Sequence, residues 1–187
     1  MSDAFAYLSV LLSIILGLAI AEVLQGFGAL LAIRSRVRLY SPSIIWAVMM
    51  LLMATQFWWA SFGLANREHW NFAAFSAVLL QTVMLYMGSA IVLPKIRSDD
   101  VIDLRAHYYR EIVPFFSFGL LFLTVGFIKD WLLSGSLPDP INLAFRAFFA
   151  GVTLTALFVR RPRVHEVIAP LMAVVITAYF GMIFARL

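Results

Sequence analysis

Glu22, Gln25, Gln56, Gln81 and Arg146 are strongly polar side chains set inside long apolar runs of this chain. An ionisable group at membrane depth costs on the order of 2.5–3.5 kcal/mol on insertion scales, and it usually faces the interior of a bundle. Glu22 stands 12 residues before Arg34, Gln56 14 after Pro42, Gln81 14 before Lys95, and Arg146 14 before Arg160. At about 1.5 Å per residue, these four lie roughly 18–21 Å from those ends of their runs. The spacing therefore predicts one layer holding a carboxylate, two amides and a guanidinium. Glu22 and Arg146 carry opposite charge, and each is easier to bury when paired. Two chemistries fit the layer. It is a ligand or ion pathway, with Gln25 on the inward side of the same helix as Glu22. Alternatively it is interhelical glue, with each bond worth on the order of 1 kcal/mol.

Two further clusters carry chemistry. Lys129-Asp130-Trp131 falls near the end of an apolar run, where Lys129 can snorkel and Asp130 can pair with it or with Arg146. An outer polar cluster of Lys129 and Asp130 is expected, serving as a vestibule or as an interfacial anchor. Asp103, His107 and Glu111 stand at i, i+4 and i+8. On a helix that spacing sets carboxylate, imidazole and carboxylate along one face, a reasonable ligand set for a hard or borderline metal. His165-Glu166 could add ligands. The competing reading is a solvated face whose charges pair locally. The chain has no cysteine, which excludes disulfides and thiolate sites. It also lacks a phosphate-binding glycine loop, an H-E-x-x-H pair and a Gly-x-Ser-x-Gly elbow. Catalysis has little support, and no cofactor can be named.

The elements that must position these residues follow from composition. Of 187 residues, 63% are hydrophobic and 13% charged, and mean hydropathy is +0.94. Soluble domains have about 45–50% and about 25%. Disorder, nucleic-acid binding and a soluble enzyme are excluded, and the lipid bilayer is the first partner. Six runs are long enough to cross about 30 Å of hydrocarbon: 4–33, 42–65, 70–93, 112–133, 141–159 and 164–185. None alternates with period two, so the fold class is all-α: one transmembrane domain, a polytopic bundle of six helices. The first run is too long for a signal peptide and is expected to be retained. Ser98, Asp99 and Asp100 read as a helix start, followed by an apolar stripe of Val101, Leu104, Tyr108 and Ile112. A short amphipathic helix over 99–111 is therefore expected at the cytoplasmic interface before helix four.

Orientation follows from the arginines. Arg34, Arg36 and Arg38 follow helix one, Lys95, Arg97, Arg105 and Arg110 follow helix three, and Arg160, Arg161 and Arg163 follow helix five. Only the odd loops are basic, which predicts both termini outside in a bacterial-type inner membrane. Ser9, Ser13, Gly17 and Ala21 form a four-residue row of small side chains on helix one, expected to seat a neighbouring helix. Trp58, Trp59 and Trp70 read as an outer aromatic belt, and Trp46 as an inner one.

Three stretches carry a resemblance: Tyr7-Leu-Ser9-Val-Leu-Leu-Ser13-Ile-Ile-Leu-Gly17, then Trp46 with Gln56-Phe-Trp58-Trp59, then Asp103-Leu-x-x-His107-Tyr108. Together they resemble a group of small uncharacterised bacterial multi-helix membrane proteins, and the resemblance implies no activity. The six-helix size is also similar to that of the substrate-binding subunits of energy-coupling-factor vitamin transporters. Those subunits keep both termini inside, against the arginine pattern here, and their binding signatures are missing. Three functions are carried forward: passage or binding of an ion or small polar solute, a non-catalytic membrane subunit or homo-oligomeric scaffold, and a membrane enzyme acting on a lipid through Asp103, His107 and Glu111.

Overall fold

The computed structural model describes residues 3–65, 70–96 and 101–184. Among these residues six helices are long and apolar enough to cross a membrane: α1 (Asp3–Ala32), α2 (Ser41–Ser61), α3 (Phe72–Val92), α4 (Leu104–Ser134), α5 (Pro140–Phe158) and α6 (Pro162–Phe184). In hydrocarbon every backbone polar group must be satisfied within its own segment, which favours helices throughout. Their ends are marked by local chemistry. Asn71 caps α3 by accepting from the Ala74 N–H, and Asp139 caps α5 by accepting from Ile141 and Asn142 with Pro140 following. Gly135, at φ 68°, takes the left-handed turn that ends α4 and donates to the Trp131 carbonyl.

The helices α2, α3, α4, α5 and α6 contact one another in turn, and α6 returns to α2 to close a ring. α1 packs outside this ring, mainly against α2 and α3. Its buried seam is Leu8, Leu12, Leu16, Ala19 and Val23, at three-to-four spacing. The row of small residues lies beside that seam: Ser13 and Gly17 are exposed, and no neighbour approaches Gly17. Leu8, Leu12, Leu16 and Val23, with Ala19 among them, seat this part of α1, and of the small row Ser13 meets Trp58 of α2.

The segments before α2 and before α4 meet in a short parallel ladder, β1 (Val37–Arg38) with β2 (Ile102–Asp103), in the register Val37↔Ile102. The odd connections thus share one face of the bundle. On the opposite face the start of α1 meets the end of α2 and the start of α3, through Leu8, Leu12 and Val78 against Phe57, Leu64 and Trp70.

Among the described residues no separate amphipathic helix is seen. Residues 104–111 are the first turns of α4 itself, with Asp103 as the cap, accepting from the Arg105 and Ala106 N–H groups. Leu104, His107, Tyr108 and Ile112 pack into the bundle, so the apolar stripe faces protein. The expected start at Ser98–Asp100 lies outside the described residues.

Candidate functional site

The ring encloses a cavity of about 310 Å³. Gln56 from α2, Gln81 from α3, Lys129 from α4 and Arg146 from α5 all line it. Three members of the expected polar layer are thus brought together, and Lys129 of the outer cluster joins them. Asp130 holds this end: it accepts from Arg146 across the α4–α5 contact and lies 3.3 Å from the Lys129 ammonium. Lys129 also stands 5.8 Å from the centre of the Phe57 ring. Tyr179 of α6 donates to the Asn142 side chain at 2.8 Å and lines the same end.

Gln81 is buried beside Gly126. A Cβ on Gly126 would meet the Gln81 amide nitrogen at 2.5 Å, so the glycine makes the room that the amide occupies. That nitrogen donates weakly to the Phe122 carbonyl, at 3.4 Å. The Gln81 oxygen and the Arg146 Nη1 are enclosed without a hydrogen-bond partner among the described residues. Thr153, by contrast, donates to the Phe149 carbonyl of its own helix, so its hydroxyl adds little polarity to the wall.

Toward the face of the odd loops the cavity becomes apolar and aromatic. Trp46, Phe115 and Phe116 pack edge to face there, with centroids 5.6 Å and 5.4 Å from Trp46. Trp46 is therefore a buried wall of the cavity, not an inner membrane belt. Trp58 and Trp59 are exposed as the belt reading expects, and Trp58 donates its indole N–H to Ser13 at 3.3 Å.

Glu22 and Gln25 do not reach this site. Glu22 pairs with Lys95 at 3.3 Å, and Gln25 is exposed. The reason is the length of α1. Its 30 residues extend about 45 Å, well over the hydrocarbon thickness. Gly26 already lies against Leu93 at the end of α3, where an added Cβ would stand 2.9 Å from the Leu93 side chain. Counting back from Arg34 measured a helix that overshoots its neighbours, so Glu22 sits close to one end of the bundle. The expected Glu22–Arg146 pair is replaced by Glu22–Lys95 and Asp130–Arg146.

The metal reading fails on geometry as well. Asp103 is engaged by the N-terminal N–H groups of α4, and Glu111 accepts from Arg110 at 3.0 Å. His107 is buried, with Nε2 donating to the Ile91 carbonyl and Nδ1 accepting from Arg110, both at 3.0 Å. With Asp103 outside the helix, the i, i+4, i+8 face is never completed. No group of three His, Asp or Glu side chains that could hold a metal occurs among the described residues.

His165, considered above as a further metal ligand, is wholly buried. Its Nε2 donates to the Val159 carbonyl at 2.7 Å and its Nδ1 accepts from the Tyr108 hydroxyl at 3.0 Å. Tyr40 joins this cluster through Tyr109, hydroxyl to hydroxyl at 3.2 Å, and burial raises its pKa above the ordinary tyrosine range. The cluster ties the starts of α2, α4 and α6 together. No apolar periodicity announces it, because its members lie up to 125 positions apart in the sequence.

No protein-family model matches the chain, and no curated protein and no solved structure matches it either.

Proposed function

We propose that this chain is a multi-pass protein of a bacterial-type inner membrane, with both termini outside, that binds a small molecule in the cavity enclosed by α2 to α6. The observation carrying this reading is the convergence of Gln56, Gln81, Lys129 and Arg146 on one cavity of about 310 Å³. Packed interiors hold few voids larger than a water molecule, and ligand sites begin at about 300 Å³ with a few polar groups on apolar walls. A scaffold alone has no need of such a space. Binding is favoured over passage because Trp46, Phe115 and Phe116 crowd one end of the cavity. Glu22, the carboxylate of the expected pathway, stands on α1 outside the ring and pairs with Lys95. The orientation rests on the basic odd loops, which places the end bearing Lys129 and Arg146 toward the outside.

The absence of cysteine makes a thiol probe clean. Gln56→Cys places a thiol on the cavity wall, whereas Ala54→Cys lies fully buried on the same helix away from it. In nanodiscs, Gln56→Cys should react with methyl methanethiosulfonate at least tenfold faster than Ala54→Cys. Adding Gly119→Leu, which projects into the cavity, should slow it. Equal rates at the two positions, unaffected by Gly119→Leu, would overturn the reading.

A further inference from the structure

The cavity is polar at one end only, and that end is cationic. Lys129 and Arg146 line it, whereas no Asp or Glu does. Asp130 stands between them outside the lining, and Asp139 stands nearby at the start of α5, bonded to the Asn142 that holds Tyr179, so the cations face the cavity while their counter-charges stand behind its wall. Lys129 stands five residues from the end of α4 and Arg146 six from the start of α5, about 8–9 Å below those helix ends. The Arg146 Nη1 on this wall is enclosed without a hydrogen-bond partner among the described residues, and an anionic group in the cavity would supply one.

Away from this end the wall changes character. From Gly126 to Phe115 along α4, about 16 Å, it is formed by Phe122, Phe118 and Phe115 with Met50 and Met53 facing them. Methionine and phenylalanine walls adapt to flexible apolar chains but give nothing to a small inorganic ion. Resting on the binding reading above, we infer that the ligand is a single-chain anionic amphiphile. Its carboxylate or phosphate head would meet Lys129 and Arg146, and its aliphatic chain would run along the phenylalanines toward Trp46.

Trp46 is the one tryptophan lining the cavity, so a chain with Trp58, Trp59, Trp70 and Trp131 changed to Phe reports on its apolar end. In phosphatidylcholine nanodiscs, laurate brominated at its terminal carbon should quench Trp46 saturably. Brominated dodecanol should bind at least tenfold more weakly, the loss of one charge-assisted contact. Lys129→Gln removes one of the two cations on the wall and leaves Asp130 paired with Arg146. It should weaken laurate about tenfold and leave dodecanol unchanged. Lysophosphatidylglycerol carrying the same brominated chain separates a membrane-lipid source from a free fatty acid, and tight binding of either supports the inference. Should the tryptophan variant fail to fold, laurate must raise the melting temperature of the parent chain and not of Lys129→Gln. Dodecanol binding as tightly as laurate, or Lys129→Gln shifting neither, would overturn the anionic head while leaving the cavity reading intact. No saturable quenching by any probe, together with a cavity cysteine no faster than Ala54→Cys, would remove both.

Discussion

Asp130 and Arg146, 16 positions apart, form an ion pair that ties α4 to α5 at the polar end of the cavity. The same carboxylate also faces Lys129, so it answers both cations on the cavity wall. Removing a carboxylate that receives charge-assisted hydrogen bonds should be far worse than removing one of its cations. Asp130→Asn is expected to cost about 2–3 kcal/mol, and Lys129→Gln well under half of that. A double-mutant cycle with Arg146→Met should give a coupling of about 1–2 kcal/mol in detergent unfolding. Additive losses would show that the pair contributes nothing.

The Glu22–Lys95 pair belongs to the other regime. The Lys95 side chain is 59% exposed and that of Glu22 26%, and such pairs are worth about 0–1 kcal/mol. Glu22→Gln should therefore leave the melting temperature nearly unchanged and should not alter ligand binding in the cavity. A loss comparable to that of Asp130→Asn would place Glu22 back among the residues that hold the bundle together.

These two carboxylates mark how far the sequence could be read. The six spans were legible because hydropathy and length are properties of each segment alone. Gln56, Gln81 and Arg146 were legible as inward residues because polar groups in apolar runs have nowhere else to go. Their partners were not, since depth counted along one helix says nothing of where its neighbours end. α1 overshoots α3, and only the contact of Gly26 with Leu93 shows by how much. His107 and His165 were misread as exposed for a related reason: their partners, Ile91, Arg110, Tyr108 and Val159, come largely from other turns and other helices.

Gly26 lets α1 approach the end of α3 closely. Gly26→Ala would bring a methyl group to 2.9 Å and 3.0 Å from Leu93 Cδ1 and Cβ, and Cβ cannot move without the backbone. Overpacking of this kind costs about 1–3 kcal/mol. Leu93→Ala, added to Gly26→Ala, removes the Cδ1 clash and should recover part of the loss. A Gly26→Ala protein as stable as the parent would mean that the two helices are not in contact there.

At the face of the odd loops, Tyr108→Phe deletes the only hydroxyl facing the Nδ1 of the fully buried His165 among the described residues. The orphaned nitrogen should cost about 1–3 kcal/mol. Tyr40 adds a pH dependence to the same cluster. Its folded pKa lies above the ordinary tyrosine value of about 10, chiefly through burial. The neutral hydroxyl is therefore the form that folding favours. Its stabilising contribution is complete below about pH 10 and declines as the pH rises past that value, because the unfolded chain releases the proton first. Tyr40→Phe should make the alkaline fall in melting temperature shallower. An unchanged profile would show that Tyr40 ionises as readily folded as unfolded.

The arginine bias makes a prediction that the fold itself does not decide. β1 pairs with β2, and Tyr108 with His165, so the three odd connections lie on one face whichever way the protein is inserted. Arg34, Arg36, Arg38, Arg160 and Arg161 lie in the connections on that face, and Arg105, Arg110 and Arg163 in the first turns of α4 and α6 beside them. Translocating such loops is unfavourable, so they should stay in the cytoplasm. Ser35 and Ser136 are both exposed and lie on opposite faces, and no native cysteine interferes. In intact cells an impermeant maleimide should label Ser136→Cys and spare Ser35→Cys until the membrane is permeabilised. The reverse pattern would turn the cationic end of the cavity toward the cytoplasm, and the anionic amphiphile would then have to enter from that side.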